Sequence, residues 1–100
     1  MKYVIGWLKL KPGMRDAFIA LAKDHDETTR REDGCLFYQS HPSATDPNEL
    51  VFIEGWQSPE HHSAHENAPH HVALGKEAGK YIAGGRFEEI EAAKTKTVQF

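Results

Sequence analysis

Residues Tyr3 to Leu10 alternate in an extended pattern that has no polar face. Val4, Leu8 and Leu10 fall on one side, and Tyr3, Ile5 and Trp7 fall on the other. Side chains of a strand point alternately to its two faces, so a strand apolar on both faces is covered on both. Pro12-Gly13 ends it. The period then changes. Met14, Ala17, Phe18, Leu21, Ala22 and His25 recur at spacings of three and four, while Asp16, Lys23, Asp24 and Glu27 lie off that stripe. This predicts one amphipathic helix running to about Arg31, closed by Asp33-Gly34.

Two further apolar runs predict strands: CLFYQSH, from Cys35 to His41, and LVFIEGW, from Leu50 to Trp56. The turn PSATDPNE between them predicts an antiparallel hairpin. In the third strand Leu50, Phe52, Glu54 and Trp56 alternate against Val51, Ile53 and Gly55. Ser58-Pro59-Glu60 then opens a helix: a side-chain cap, a proline in the first turn and an acid near the positive end of the dipole. Pro69 interrupts it and starts a second segment, with a stripe at His70 or His71, Leu74, Ala78, Tyr81 and Ile82. Gly84-Gly85 is expected to stop that helix, and Arg86 to Val98, with Phe87, Ile90 and Val98, to form a fourth strand.

The order is β-α-β-β-α-β with the second helix broken. It predicts one α+β domain over residues 1–100, ferredoxin-like, with a four-stranded antiparallel sheet and helices on one face. The other sheet face is apolar, and the chain has nothing left to cover it. A homodimer whose two sheets pack face to face resolves the conflict.

Composition narrows the partners. The formal net charge is -3 and no Lys/Arg cluster appears, which speaks against nucleic acid. No apolar run approaches the roughly 20 residues that cross a bilayer, and the N-terminus lacks a signal-peptide pattern, so no membrane partner is expected. The single cysteine, Cys35, has no internal partner, consistent with a reducing cytoplasm. Dinucleotide, phosphate-loop, cysteine-cluster and flavin motifs are missing, so no cofactor is expected.

Candidate chemistry concentrates in HHSAHENAPHH, His61 to His71, which holds five of the seven histidines. His61 and His65 share a helix face, as His62 and His65 nearly do, a spacing that can seat a transition metal. A third ligand is needed, and Glu66, adjacent to His65, points elsewhere; the expectation is therefore no metal. His65 and His70 are candidates for ligand contact, and a helix N-terminus would keep His70 neutral. His25 interrupts an apolar stripe, so it is either a hydrogen-bonded core residue or a base lining a cavity. Glu54 shares a face with Phe52 and Trp56. Turned toward the helices, it is a carboxyl of raised pKa able to orient His25 or His65; turned outward, it is a dimer contact.

Four segments, KLKPG, REDGCLFY, FIEGWQSPE and AHENAPHHVAL, together resemble the antibiotic biosynthesis monooxygenase family, in the family's order. The resemblance implies a dimeric α+β barrel and, in its phenol- and quinol-oxidising branches, oxygenation without a bound cofactor. Trp56 matches the tryptophan that closes the third strand at the pocket of the phenol-oxidising branch. That branch's asparagine and tyrosine are replaced here by Phe52 and His62. The haem-degrading branch is disfavoured, because Gly6-Trp7 stands where its strand-one asparagine lies and the short helix has no tryptophan. The implied function is monooxygenation of a small aromatic, phenolic or quinone-like molecule. His65, His25 and Glu54 are the catalytic candidates, with a histidine, His65 or His25, as the proton acceptor in an apolar pocket, and Trp56, Phe52, Phe37, His70 and His62 are the substrate-binding ones. An isomerase of a small hydroxy-carbonyl compound and a non-catalytic ligand-binding dimer are the alternatives on the same fold.

Overall fold

The computed structural model describes residues 1–100. The chain runs β1 (Lys2–Leu10), α1 (Arg15–Arg30), β2 (Cys35–Pro42), β3 (Glu49–Trp56), α2 (Pro59–Glu66), α3 (Pro69–Ala78) and β4 (Ile82–Glu91). The four strands form one sheet in the order β2-β3-β1-β4, every neighbour antiparallel. This is the ferredoxin-like arrangement that the alternation and the helical stripes predict.

The alternation sorts the two faces as the sequence suggests. Val4, Leu8 and Leu10 from β1 and Leu50 and Phe52 from β3 are buried on the helix side. Phe18 and Ala22 of α1 and Ala78 of α3 close the core above them. Tyr3, Ile5, Trp7 and Ile53 lie on the opposite face, only partly covered.

Two glycines shape the site by what they leave out. At Gly34, φ is +79°, a left-handed conformation that a side chain resists, and a Cβ would lie 2.2 Å from the His61 ring. The tight exit from α1 thus lets α2 settle onto it, where Ser58 caps α2 by accepting from the His61 amide. At Gly6 a Cβ would lie 2.1 Å from Phe52, its cross-strand neighbour. The Phe52 ring folds over that bare backbone and meets Phe87 of β4 at 5.0 Å between centroids.

The last strand differs from its expected position. The helix ends at Ala78, and Ile82, Gly84 and Gly85 belong to β4, which stops at Glu91 and does not continue to Val98. Backbone contact explains the change. A Cβ on Gly85 would lie 2.4 Å from the Trp7 carbonyl oxygen, so this glycine allows close strand pairing instead of stopping a helix. Tyr81 turns the chain by accepting, through its carbonyl, from the Lys11 amide at 2.8 Å, and a register shift at Lys9/Leu10 takes up the slack.

Candidate active site

A cavity of about 300 Å³ lies between the sheet and the helices. Its apolar part is built from Val4, Phe18, Leu50, Phe52 and Leu74, and its polar end from Glu54, His62, His65 and His71. The strand period places Glu54 here: it alternates with Phe52 and Trp56, and that face meets the helices. Glu54 is therefore a cavity residue.

Glu54 is 5% exposed, and its Oε1 accepts from Trp56 Nε1 at 3.0 Å. Burial pushes its carboxyl pKa up to about 7; the tryptophan bond opposes the shift, and Glu66 and Glu89 add to it. His62 Nε2 lies 3.9 Å from the same oxygen. The Nδ1 of His62 is buried without a hydrogen-bond partner, and burial lowers this histidine's pKa. Glu89, at the cavity wall, is held by Lys2 at 2.6 Å.

Beside this pair lies a histidine cluster drawn from three helices. His65 Nδ1 donates to Glu32 Oε2 at 2.6 Å, and the His65 ring stacks on Trp56 with centroids 4.9 Å apart. His25 Nδ1 donates to Asp26 Oδ1 at 2.8 Å, and its Nε2 meets His71 Nδ1 at 2.9 Å. His70 Nε2 lies 3.2 Å from Glu32 and 3.1 Å from the Thr29 hydroxyl. Burial, then crowding by the other imidazoles, pushes His65 down to about 3 and His71 down to about 4. The nearby Asp26 and Glu32 pull the other way and are outweighed. Both rings are neutral at pH 7, and their ring nitrogens are available as donors or ligands.

The structure thus brings His25, His65, Glu54, Trp56, Phe52, His62 and His70 to one end of the helix side. Phe52, Glu54, His62 and His65 line the cavity directly, while Trp56, His25 and His70 stand behind that wall. Phe37 is elsewhere. It lies on the open face, stacked on Tyr3 at 5.9 Å and over Gly55, so it does not wall this cavity; Tyr38, one residue on, does. The reason is the strand period, which sends adjacent residues to opposite faces.

Glu32, Asp26, His71 and Glu89 also belong to this end and were not singled out in the sequence. The helical stripe carried a signal for one pair. Thr29 follows His25 by one turn, so the polar end of α1's buried face was visible there, but its partners on α3 were not.

The sequence pattern of the family described as antibiotic biosynthesis monooxygenase matches residues 1–77. The chain belongs to that family. Solved structures agree with the assignment. The Mycobacterium tuberculosis protein Rv0793 superposes with a TM-score of 0.86 at 27% identity, covering 96% of this chain and 98% of that one. A Deinococcus radiodurans protein superposes with a TM-score of 0.89 over the whole of both chains; at 19% identity it shows the fold alone. An uncharacterised Synechocystis sp. protein is 36% identical over 55 residues, which are 55% of this chain and 37% of that protein's length. The chain therefore spans well under two thirds of that relative. Within the antibiotic biosynthesis monooxygenase fold, the match ends inside α3, so β4 with Phe87 and Glu89 lies outside it.

Proposed function

We propose that this member of the family oxygenates a small, electron-rich phenol or quinol held in the cavity, with Glu54 as proton acceptor. The observation that supports it best is Glu54 itself, the buried carboxyl among the residues that line the cavity, set where the apolar wall meets the polar end and raised to a pKa of about 7 by burial. A general base is most effective when its pKa lies near the working pH. Removal of the phenolic proton makes an anion that can give an electron to O₂. A carbon–oxygen bond then forms on the ring. A phenol plus O₂ becomes a quinone plus water; a quinol becomes a hydroxyquinone plus water. One oxygen atom enters the ring and the other leaves as water, and all four electrons come from the substrate. No redox group is needed for that balance.

Phe52, Phe87 and Tyr38 hold the ring. His62, its Nδ1 3.5 Å from Glu66 and 3.7 Å from Glu89, is the polar side chain beside Glu54 in this reading. His25 and His65 do not take the proton in this reading: His25 Nε2 is turned to His71 at 2.9 Å, and burial lowers the His65 pKa to about 3. The isomerase alternative fits less well, because a polyhydroxy substrate would leave its hydroxyls against Phe18, Leu50 and Leu74.

The active unit is a homodimer, its open sheet faces packed together. Support comes from Tyr3, Ile5, Trp7, Phe37 and Ile53 on one unpaired face, with Ile90 43% exposed beside them. No helix is long and apolar enough to cross a membrane. With its lone free thiol, Cys35, the protein suits a reducing cytoplasm.

Oxygen uptake with a panel of quinols and polycyclic phenols, in chelator and without added cofactor, tests the reading. Turnover that rises with pH through about 7 and falls on the order of 100-fold or more in Glu54→Gln supports it. Uptake unaltered in Glu54→Gln, or none with any aromatic, overturns it.

A further inference from the structure

One nitrogen from each of His25, His65 and His71 lies within 4.8 Å of the other two. The three come from α1, α2 and α3, so no local spacing in the sequence announces them. We propose that these three imidazoles form a binding site for a divalent transition metal ion of the zinc or cobalt type, with a coordination position open to the cavity.

The case rests on how the rings are held. A metal-binding histidine commonly donates its other ring N–H to a carboxylate, which fixes the tautomer and aims the free nitrogen. Two of the three histidines have that support. Asp26 takes the Nδ1 proton of His25 at 2.8 Å, and Glu32 takes that of His65 at 2.6 Å. Each ring is left with Nε2 as a lone-pair nitrogen. His25 Nε2 already faces His71 Nδ1 at 2.9 Å, close to the spacing of two nitrogens that bond one ion at about 2.0–2.1 Å each. Without an ion, one proton bridges that gap; an ion would take its place. His25 and His65 are 6% and 1% exposed, so the ligands are pre-organised, not gathered from mobile surface chains. All-imidazole coordination suits zinc, cobalt, nickel, copper and iron, and three protein ligands leave a position for water or substrate. His65 and His71 both line the cavity, so that position faces the bound molecule.

Glu32, His65 and His70 form a second candidate group. It is the weaker one, because Glu32 already accepts from His65 at 2.6 Å and from His70 at 3.2 Å, and an ion there would have to break both bonds. The proposed site does not depend on the oxygenase reading, since Glu54 and His62 remain outside it.

The test uses full-length protein without a histidine tag, stripped with chelator and dialysed. Titration with cobalt(II) is expected to give one equivalent of binding and visible d–d absorption. Zinc(II) is expected to displace the cobalt. His71→Ala should weaken cobalt binding at least ~100-fold, while His41→Ala, at an exposed position on β2, leaves it unchanged. Imidazole ¹⁵N shifts in the wild-type protein give an answer that needs no variant: zinc should move the resonances of His25, His65 and His71 and leave His41 in place. Binding no tighter than millimolar overturns the proposal. So does an unaltered affinity in a folded His71→Ala protein, or shifts that fall on His70 instead of His71.

Discussion

His65 and Glu32 are joined by a 2.6 Å hydrogen bond from Nδ1 to Oε2, across 33 residues of chain and between α2 and the turn that follows α1. This bond locks a ring that also stacks on Trp56, so one carboxylate sets the orientation of the most buried histidine in the cluster. Glu32→Gln keeps the shape but supplies a weaker acceptor and frees the ring to turn. It is expected to weaken cobalt(II) binding about 10- to 100-fold while leaving the far-ultraviolet circular dichroism unchanged. Equal cobalt affinity in the two proteins would mean that the carboxylate plays no part in aiming the ring.

Glu54 makes stability depend on pH. Its folded pKa of about 7 exceeds the ordinary carboxyl value of 4.5 because burial disfavours the charged form. Between those values the folded chain holds a proton that the unfolded chain has lost, so stability falls as pH climbs from about 4.5 through 7 and levels off above. Glu54→Gln retains an acceptor for Trp56 and removes the penalty. In metal-free protein at fixed concentration, urea unfolding should find the variant more stable by up to ~3 kcal/mol near pH 8 and indistinguishable near pH 4. A difference that does not vary with pH would refute the assignment of this carboxyl to a dry site.

Gly6 holds space for Phe52. A methyl group at this position would meet the ring at 2.1 Å and drive it into the cavity. Gly6→Ala is expected to destabilise the fold by about 1–3 kcal/mol and to reduce the affinity for a bound aromatic. Thermal unfolding and fluorescence titration with a naphthol measure the two effects. Tight naphthol binding in a folded Gly6→Ala protein would place the ligand away from Phe52.

Gly34 tests the turn that seats α2. Alanine there adopts φ +79° against its preference and must displace the His61 ring. Roughly 2 kcal/mol of destabilisation is expected from the two effects together. Gly13 is the control: its φ is +77°, but a Cβ would meet nothing within 4 Å, so Gly13→Ala should show only the backbone part. Chemical denaturation of both variants separates the terms, and equal losses would remove His61 from the account.

Ile5, in the middle of the open sheet face, tests the dimer. Aspartate at this position would bury an unpaired charge in a sheet-to-sheet interface, and the dissociation constant should rise at least ~100-fold. Analytical ultracentrifugation reads it directly. A wild-type chain that sediments as a monomer at micromolar concentration would dispose of the dimer altogether.

Much of this molecule was legible in the alternation of apolar and polar positions. The faces of β1 and β3, the stripe of α1, the break at Pro69 and the element order all follow from local periods, because each depends on residues within one or two turns of one another. The same local logic put Phe52, Glu54 and Trp56 on one face. It misread β4, where Gly84-Gly85 looks like a helix stop. Only the approach of the Trp7 carbonyl from β1 shows Gly85 to be a strand contact. It also offered two destinations for Glu54 and put Phe37 among the substrate-binding residues; tertiary packing turned Glu54 to the cavity and Phe37 to the open face. The histidine cluster shows the limit most clearly. Spacing along HHSAHENAPHH offers two ligands on one helix and no third. Two members of the cluster, His65 and His71, lie in that stretch but on different helices; His25 and the carboxylates Asp26 and Glu32 come from α1 and the turn after it, and all meet only when the helices cross the sheet. Periodicity records what lies on one side of one element; which sides of different elements meet is decided by the packing of the whole chain.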